Sequence, residues 1–374
     1  MRIQQLTLLA SSILLSTSGF AAEIYNRDGN RLELSGLISG LRYLSDNKSE
    51  DGDQSYMRFG FKGETQISPQ LIGYGQWQAQ VDMNQPENNG ASMYTRLGFA
   101  GIKLGDYGSL DYGRNIGVLY DALSLTDMQP EFDAQTYNTD QFMFRRGNSL
   151  ATYRNSNFFG LVDGLNVTLQ YQGKNDGNGE PGSRSALRQN GDGYGMSVAW
   201  EFAGDFKAVG AFTQSRRTGA QNDSGSGIMG QGERAEAYSG AIKYEAHGLY
   251  LATMYTQARN ASRFGSASGS GAYGYANQSE IFELFAQYSF DSGVVPFIAY
   301  NQARAKNLGR AASGQIYGNQ DLVRFIDFGA SWLFNRNMQT YVDYKLNLID
   351  NSDFSQAAGV STDDVLAVGL VYQF

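Results

Sequence analysis

The sequence predicts an all-β fold, a transmembrane β-barrel of 16 antiparallel strands. Three observations predict it. Apolar and polar residues alternate with a period of two along the chain after residue 21, as in strands with one apolar face. Short and long connections between these segments alternate strictly. Pairs of aromatic residues recur just before the short connections, as expected where a barrel crosses the boundary between lipid and water.

The composition agrees with many strands joined by tight turns. The 374 residues include Gly 46, Tyr 24 and Phe 22 but only Pro 5. A net charge of −8 argues against a nucleic-acid partner, which requires a basic surface. The chain has no cysteine, and its one histidine, His247, lies in a short turn. We therefore expect no enzyme activity, no cofactor and no metal site.

The first 21 residues predict a signal peptide. Arg2 is followed by an apolar run that extends to Leu15, and the small residues Gly19 and Ala21 suit cleavage before Ala22. The run is too short and too rich in serine for a membrane-spanning helix. We expect the mature chain to be residues 22–374.

Period-two alternation divides each predicted strand into two faces. One face is apolar, whereas the other is rich in Gly, Ser, Gln and charged residues, which are unfavourable in a packed core but stable beside water. Segments with this pattern include 57–63, 165–172, 196–202, 282–290, 326–334 and 366–374.

The connections predict the number of strands. Seven short connections interleaved with eight long ones require 16 strands, with both chain ends on the short-turn side. Outer-membrane barrels have this even count and this asymmetry, whereas β-sandwiches and propellers do not sort their loops by side. The short connections lie near 65–70, 104–108, 155–164, 203–205, 245–248, 291–293 and 335–337, and the long ones near 45–55, 81–94, 115–146, 174–192, 215–235, 258–279, 305–321 and 350–363.

The aromatic pairs give a second reason to expect a membrane. Their constant distance from the short turns puts them at one height on the apolar face, where they would form an aromatic girdle. Aromatic residues in the core of a β-sandwich would not be expected to lie at a constant distance from the turns. The pairs are Trp200/Phe202, Tyr288/Phe290, Trp332/Phe334 and Tyr372/Phe374.

The long connection at 115–146 interrupts this regular pattern. A loop of roughly 30 residues is usually functional or disordered, and this one is too aromatic and apolar for disorder. It carries Asp127, Glu131 and Asp133 around a proline and ends at two arginines. Because a 16-stranded barrel is wide enough for an aqueous channel, this loop is the candidate to fill it.

Three arginines are expected to face the lumen. Arg58 alternates with the apolar residues on either side of it, and Arg146 begins the sixth strand. Arg96 is expected to point inward because Leu97 and Phe99 continue the lipid face. Such residues acquire a functional meaning only if acidic groups face them.

The mature chain resembles the enterobacterial general diffusion porins. The similarity extends from one end of the mature chain to the other and rests on specific motifs. The segments that carry it are 22–26, 58–65, 112–115, 130–132, 153–155, 158–165 and 368–374.

The resemblance implies a homotrimer of 16-stranded barrels in the Gram-negative outer membrane, surrounded by lipid and lipopolysaccharide. Ions and small hydrophilic solutes would diffuse passively through each barrel, whose third loop folds inward and narrows the pore. The same resemblance assigns Asp127 and Glu131 to the acidic side of this constriction. It assigns the facing basic cluster to Arg58, Arg96 and Arg146, with Tyr120 near the base of the loop.

Several positions depart from that family. Leu37 and Tyr94 stand where some members have lysines, and Arg145 adds a charge that alternation leaves without a clear direction. With fewer basic groups and the acids retained, we predict weak cation preference. Residues 133–135 replace a usual Gly-Gly-Asp, which puts the loop path in question because Gly tolerates backbone angles that other residues resist.

Two other functions remain open on the same barrel. A substrate-specific channel for sugars would require aromatic residues along the lumen, but the regular aromatic residues of this chain face lipid. A role of the outer loops as a phage or adhesion receptor is compatible with a channel.

Overall fold

The strands form one closed antiparallel sheet. The structure, a computed structural model, describes residues 22–89, 92–133, 135–177, 184–266 and 271–374, so the predicted signal peptide lies outside the described residues. Within these ranges the barrel strands are β1 Asn30–Leu44, β2 Tyr56–Ser68, β3 Leu71–Asp82, β4 Met93–Leu104, β5 Ser109–Ile116, β6 Arg146–Asn155, β7 Leu165–Gln172, β8 Gly193–Phe202, β9 Phe206–Arg216, β10 Arg234–Ala246, β11 Leu249–Arg259, β12 Gln278–Tyr288, β13 Val294–Lys306, β14 Gln320–Leu333, β15 Met338–Asn347 and β16 Val365–Gln373.

Pairing between the first and last of these strands closes the barrel. β1 pairs with β2 on one side and with β16 on the other, where Leu37 lies opposite Gln373. The backbone groups of Gly36 and Phe374 exchange two hydrogen bonds of 2.9 Å. Strand Ala22–Arg27 also pairs with β1 and continues the wall beyond Phe374. The predicted 16-stranded barrel is confirmed.

The two faces of the wall differ as the alternation predicts. In β12, Leu284 is 44% exposed on the outside, whereas its neighbour Glu283 is 1% exposed on the inside. Trp200, Trp332 and Tyr372 are each about half exposed near the short turns. The outer surface is therefore apolar, with aromatic side chains near one rim, which suits a bilayer.

Short turns lie at one end of the barrel and long loops at the other. The longer loops contain small elements of their own, including the two-stranded hairpins Arg263–Phe264/Gly274–Tyr275 and Gly309–Arg310/Ile316–Tyr317. The described residues contain no helix with the length and hydrophobicity required to span a membrane. A short strand, Gly52–Asp53, pairs with β1. The short helices are α1 Tyr120–Leu123, α2 Asn157–Gly160 and α3 Asp353–Ala358. The 3-10 turns are Glu87–Asn89, Gly105–Tyr107, Ala186–Arg188, Ala220–Asn222 and Ser224–Ser226.

The last three long loops pack against one another. α3 is capped by Ser352, whose side chain accepts a hydrogen bond from the backbone N–H of Ser355. From this helix the Phe354 ring packs against Phe264 at 5.8 Å and Tyr317 at 5.3 Å between ring centroids. These contacts join three outer loops into one apolar cluster.

The alternation changes phase at one point in β4. Gln78 pairs with Leu97, but the next residue, Ala79, pairs with Thr95, so Arg96 is an extra residue in a β-bulge. Because side-chain direction has a period of two, one extra residue reverses the faces on either side of it. Residues beyond the bulge therefore point opposite to the expected direction.

The prediction that Leu97 and Phe99 continue the lipid face is wrong for this reason. Leu97 lines a small interior cavity together with Arg96 and Tyr120. The Phe99 ring contacts the ring of Tyr74, whose hydroxyl donates to a buried aspartate on the inside of the barrel. Arg96 does face the interior, but it does so from the bulge itself.

Candidate functional site

The loop between β5 and β6 is closed at its base, because its first and last residues lie side by side and are hydrogen-bonded. The Gly117 N–H donates to the carbonyl of Arg145 at 2.7 Å, and the Leu119 N–H to that of Met143 at 3.2 Å. A Cβ at Gly117 would lie 2.2 Å from the Met143 carbonyl oxygen, so only glycine permits this approach. Leu119 and Leu123 are fully buried, so the segment is packed rather than disordered.

The middle of this segment is bonded to the inner wall of the barrel. The Tyr250 hydroxyl of β11 donates to the carbonyl of Leu125 at 2.7 Å. The hydroxyls of Thr126 and Thr136 both donate to the Glu283 carboxylate of β12, each at 2.5 Å. These bonds join residues up to 157 positions apart, so the segment crosses the interior to reach distant strands.

Glu131 is bonded to a different part of the wall. Its carboxylate accepts hydrogen bonds from the hydroxyls of Tyr43 and, at 2.7 Å, Tyr341. Its backbone N–H donates to Asp343 at 3.1 Å. Burial raises the pKa of Glu131 to about 7, because loss of water disfavours the charged form more than the two tyrosines favour it.

The other two acids around the proline, Asp127 and Asp133, make contacts within the loop. Asp127 is 7% exposed and accepts a hydrogen bond from the Tyr120 hydroxyl. Burial raises the pKa of Asp127 above its usual range. Asp133 lies 3.7 Å from the guanidinium of Arg145. Arg145 is therefore paired inside the loop, which answers the question of its direction.

The three predicted arginines come together on β2, β4 and β6. Arg58 Nε and Arg96 Nη1 donate to the same oxygen, Gln80 Oε1, at 2.8 and 3.3 Å. Arg96 Nε also donates to Gln78 at 3.0 Å, and Arg146 donates to a threonine hydroxyl of the loop at 3.4 Å. All of these acceptors are neutral, so they orient the guanidinium groups without neutralising their charge.

Some residues that differ from the porin family pattern lie close to this arginine cluster. Leu37 is buried and lies directly opposite Arg58 in the sheet register. Tyr94 lies opposite Gln80. Asp133 does not have a positive φ, and Ala134 lies outside the described residues.

Sequence reasoning missed the groups that anchor the loop. Tyr43, Glu283, Tyr341 and Asp343 are each one inward residue among many, and only alternation could have marked them. A further anchor holds α1, where Asp121 accepts from Arg154 Nη1 at 3.2 Å and from a serine hydroxyl of β8 at 2.5 Å. In the described ranges, no group of three or more His, Asp or Glu side chains is arranged to hold a metal ion.

Comparisons with known proteins find close similarity along the whole chain. The family model described as Gram-negative porin matches residues 27–374. Outer membrane porin C of Serratia marcescens is 58% identical over 378 residues, and outer membrane porin N of Escherichia coli strain K12 is 47% identical over 384 residues. Both alignments cover 100% of each chain.

Solved structures share the fold. OmpF of Salmonella typhi in complex with daunomycin has a TM-score of 0.84 and 43% sequence identity, and the match covers 94% of this chain and 100% of that one. An anion-selective porin from Comamonas acidovorans has a TM-score of 0.65 at 15% identity, covering 92% and 100%, and shares the fold alone.

The contacts at Glu283 predict its effect on stability. Glu283→Ala should lower the free energy of unfolding in lipid vesicles by roughly 2 kcal/mol, because two buried threonine hydroxyls lose their shared acceptor. Urea titration of the folded barrel measures this change. Glu283→Gln retains one carbonyl acceptor and should lose less. Equal stability of Glu283→Ala and the unsubstituted protein would contradict the anchoring role.

Proposed function

Because the chain belongs to the Gram-negative porin family, we propose that it is a general diffusion channel for ions and small hydrophilic solutes. Membership in this family places the protein in the outer membrane, as a channel rather than an enzyme. The proposal is that solutes cross the water-filled lumen down their gradients. No reaction and no cofactor are required for this transport.

The proposed constriction is built from the loop and the facing wall. Its acidic side is Asp127 and Glu131, and its basic side is Arg58, Arg96 and Arg146. The observation that carries the proposal is the set of hydrogen bonds that fixes the loop across the interior. A fixed loop would exclude solutes by size, and opposed rows of charge would orient dipolar solutes as they pass. Tyr120 would hold Asp127 in place through its hydroxyl.

We propose that the channel weakly prefers cations. Leu37 occupies an inward position opposite Arg58, where a lysine would add to the basic side. Arg145 adds little positive charge to the lumen because it is paired with Asp133. The acids Asp127 and Glu131 are retained. Since the charges line water, this preference should weaken as salt screens them over about 10 Å at 0.1 M.

Planar-bilayer recordings test both parts of this function. The protein should give stepwise conductance, and a potassium chloride gradient at pH 8, above the raised pKa of Glu131, should give a cation-selective reversal potential. Replacing Asp127 by Asn and Glu131 by Gln should lower the cation-to-anion permeability ratio about twofold. Asp163→Asn, in a short turn, is the matched control. Absence of channels contradicts the channel function, and an unchanged ratio contradicts the role of the two acids.

We also propose that three copies assemble through their outer walls. The apolar side chains Ile38 and Phe61 of β1 and β2 are exposed on this wall and are available for contact with another copy. The resemblance to the general diffusion porins implies the trimeric state, and these residues are consistent with it.

An unheated detergent gel tests the trimer. The protein should migrate as an oligomer that converts to a monomer on boiling, because contacts between closed barrels survive detergent more readily than heat. Chemical cross-linking of the unheated sample should yield three copies. A monomer in both lanes would contradict the assembly.

The outer rim of the wall suggests contact with lipopolysaccharide. Arg216 and Arg234 lie directly opposite each other on β9 and β10, and both are exposed. Like charges at opposed positions destabilise a sheet unless an anion lies between them. Tyr194 and Tyr238, exposed on the same face nearer the middle of the wall, would occupy the lipid boundary. We propose that the two arginines bind phosphate groups of outer-leaflet lipopolysaccharide.

Retention of this lipid tests the arginine pair. Replacing Arg216 and Arg234 by Gln should reduce the lipopolysaccharide that remains bound after detergent purification by several-fold, because two charge-assisted contacts are lost. Arg336→Gln removes one charge from a short turn at the other end and should have no effect. Equal retention by all three proteins would exclude the pair as a phosphate site.

A further inference from the structure

One cation lies on the acidic side of the lumen. Lys345 is on the inner face of β15 and is 5% exposed. Its ammonium lies 5.1 Å from the centre of the Phe132 ring and 3.5 Å from Glu50 Oε1. Phe132 belongs to the loop of the proposed constriction, and Glu50 to the first long loop. Lys345 therefore contacts two loops from the wall.

Carboxyl groups surround this ammonium. Asp327 lies directly opposite Lys345 in the sheet register, and Asp343 is the preceding inward residue of β15. Glu131, next to Phe132 in the sequence, is bonded through its backbone to Asp343. Lys345 thus lies among acids that would attract cations, and its positive charge offsets part of theirs.

Glu50 is fixed by contacts that do not involve Lys345. Its second carboxylate oxygen accepts hydrogen bonds from Ser361 at 2.7 Å and Asn47 at 3.3 Å. Glu50 and Lys345 line a cavity of about 390 Å³ on the extracellular side of the loop, and Arg263 also lines it. Solutes approaching the proposed constriction through this cavity would pass this pair.

We propose that Lys345 is a specificity-determining residue that keeps the cation preference weak, and that Glu50 masks part of its charge. This inference rests on the proposed channel function. A single charge within about 10 Å of passing ions should change the cation-to-anion permeability ratio about twofold at 0.1 M salt, since it repels cations and attracts anions. Glu50 and Lys345 should therefore act in opposite directions.

Reversal potentials of the full-length protein in planar bilayers test the lysine. Lys345→Met keeps a flexible side chain over Phe132 but removes the charge, so the potassium-to-chloride permeability ratio should rise about twofold. Lys345→Arg keeps the charge and should restore the original ratio. The difference should shrink in 1 M salt, where charges are screened within about 3 Å. An unchanged or lower ratio for Lys345→Met would overturn the proposal.

Glu50→Gln distinguishes an effect of the Lys345 charge on ion selectivity from a purely structural effect on the loop. It keeps groups that can bond Ser361 and Asn47 but removes the carboxylate charge beside the Lys345 ammonium, so the potassium-to-chloride permeability ratio should fall. A purely structural role predicts that both substitutions loosen the loop and change the ratio in the same direction, and that result would overturn the proposal. Absence of channels in the unsubstituted protein would overturn the channel function itself, whereas working channels with unaltered ratios would overturn only the role of Lys345.

Discussion

Complete pairing of backbone hydrogen bonds is the constraint on which this structure depends. In hydrocarbon an unpaired N–H or C=O is strongly unfavourable, so a sheet that crosses the membrane must close on itself. The bonds between Gly36 and Phe374 complete that closure. Once the register is fixed, every second residue of a strand faces the lumen, except where a bulge shifts the alternation. Arg58, Glu283 and Lys345 are therefore inside because of their positions in the strands, and the interior must satisfy them with water or with polar partners.

This constraint explains why polar bonds to the wall accompany the apolar packing of the loop. The inner faces supply carboxylates and hydroxyls, and the loop supplies their partners, as at Glu283 with Thr126 and Thr136. Glu131 combines two tasks, because its backbone anchors the loop and its carboxylate contributes to the proposed acidic side. Position and charge are thus coupled, and a substitution that alters selectivity at Glu131 will also affect the path of the loop.

The sequence was sufficient to predict the barrel because strand direction, strand number and loop asymmetry all depend on local patterns. It failed at Leu97 and Phe99 because a one-residue bulge leaves no mark in the composition of β4. The positions of Asp127 and Glu131 in the loop were predictable from the family resemblance. Their partners were not, because Tyr341 lies 210 residues from Glu131 and no short-range pattern connects them.

The contacts of the loop between β5 and β6 also depend on strands that come later in the chain. The loop precedes β12 and β15 along the chain, yet Thr126 and Glu131 bond to residues on those strands. The bonds that fix the loop can therefore form only when β12 and β15 are in place. Narrowing of the lumen by this loop thus depends on strands that follow it in the sequence.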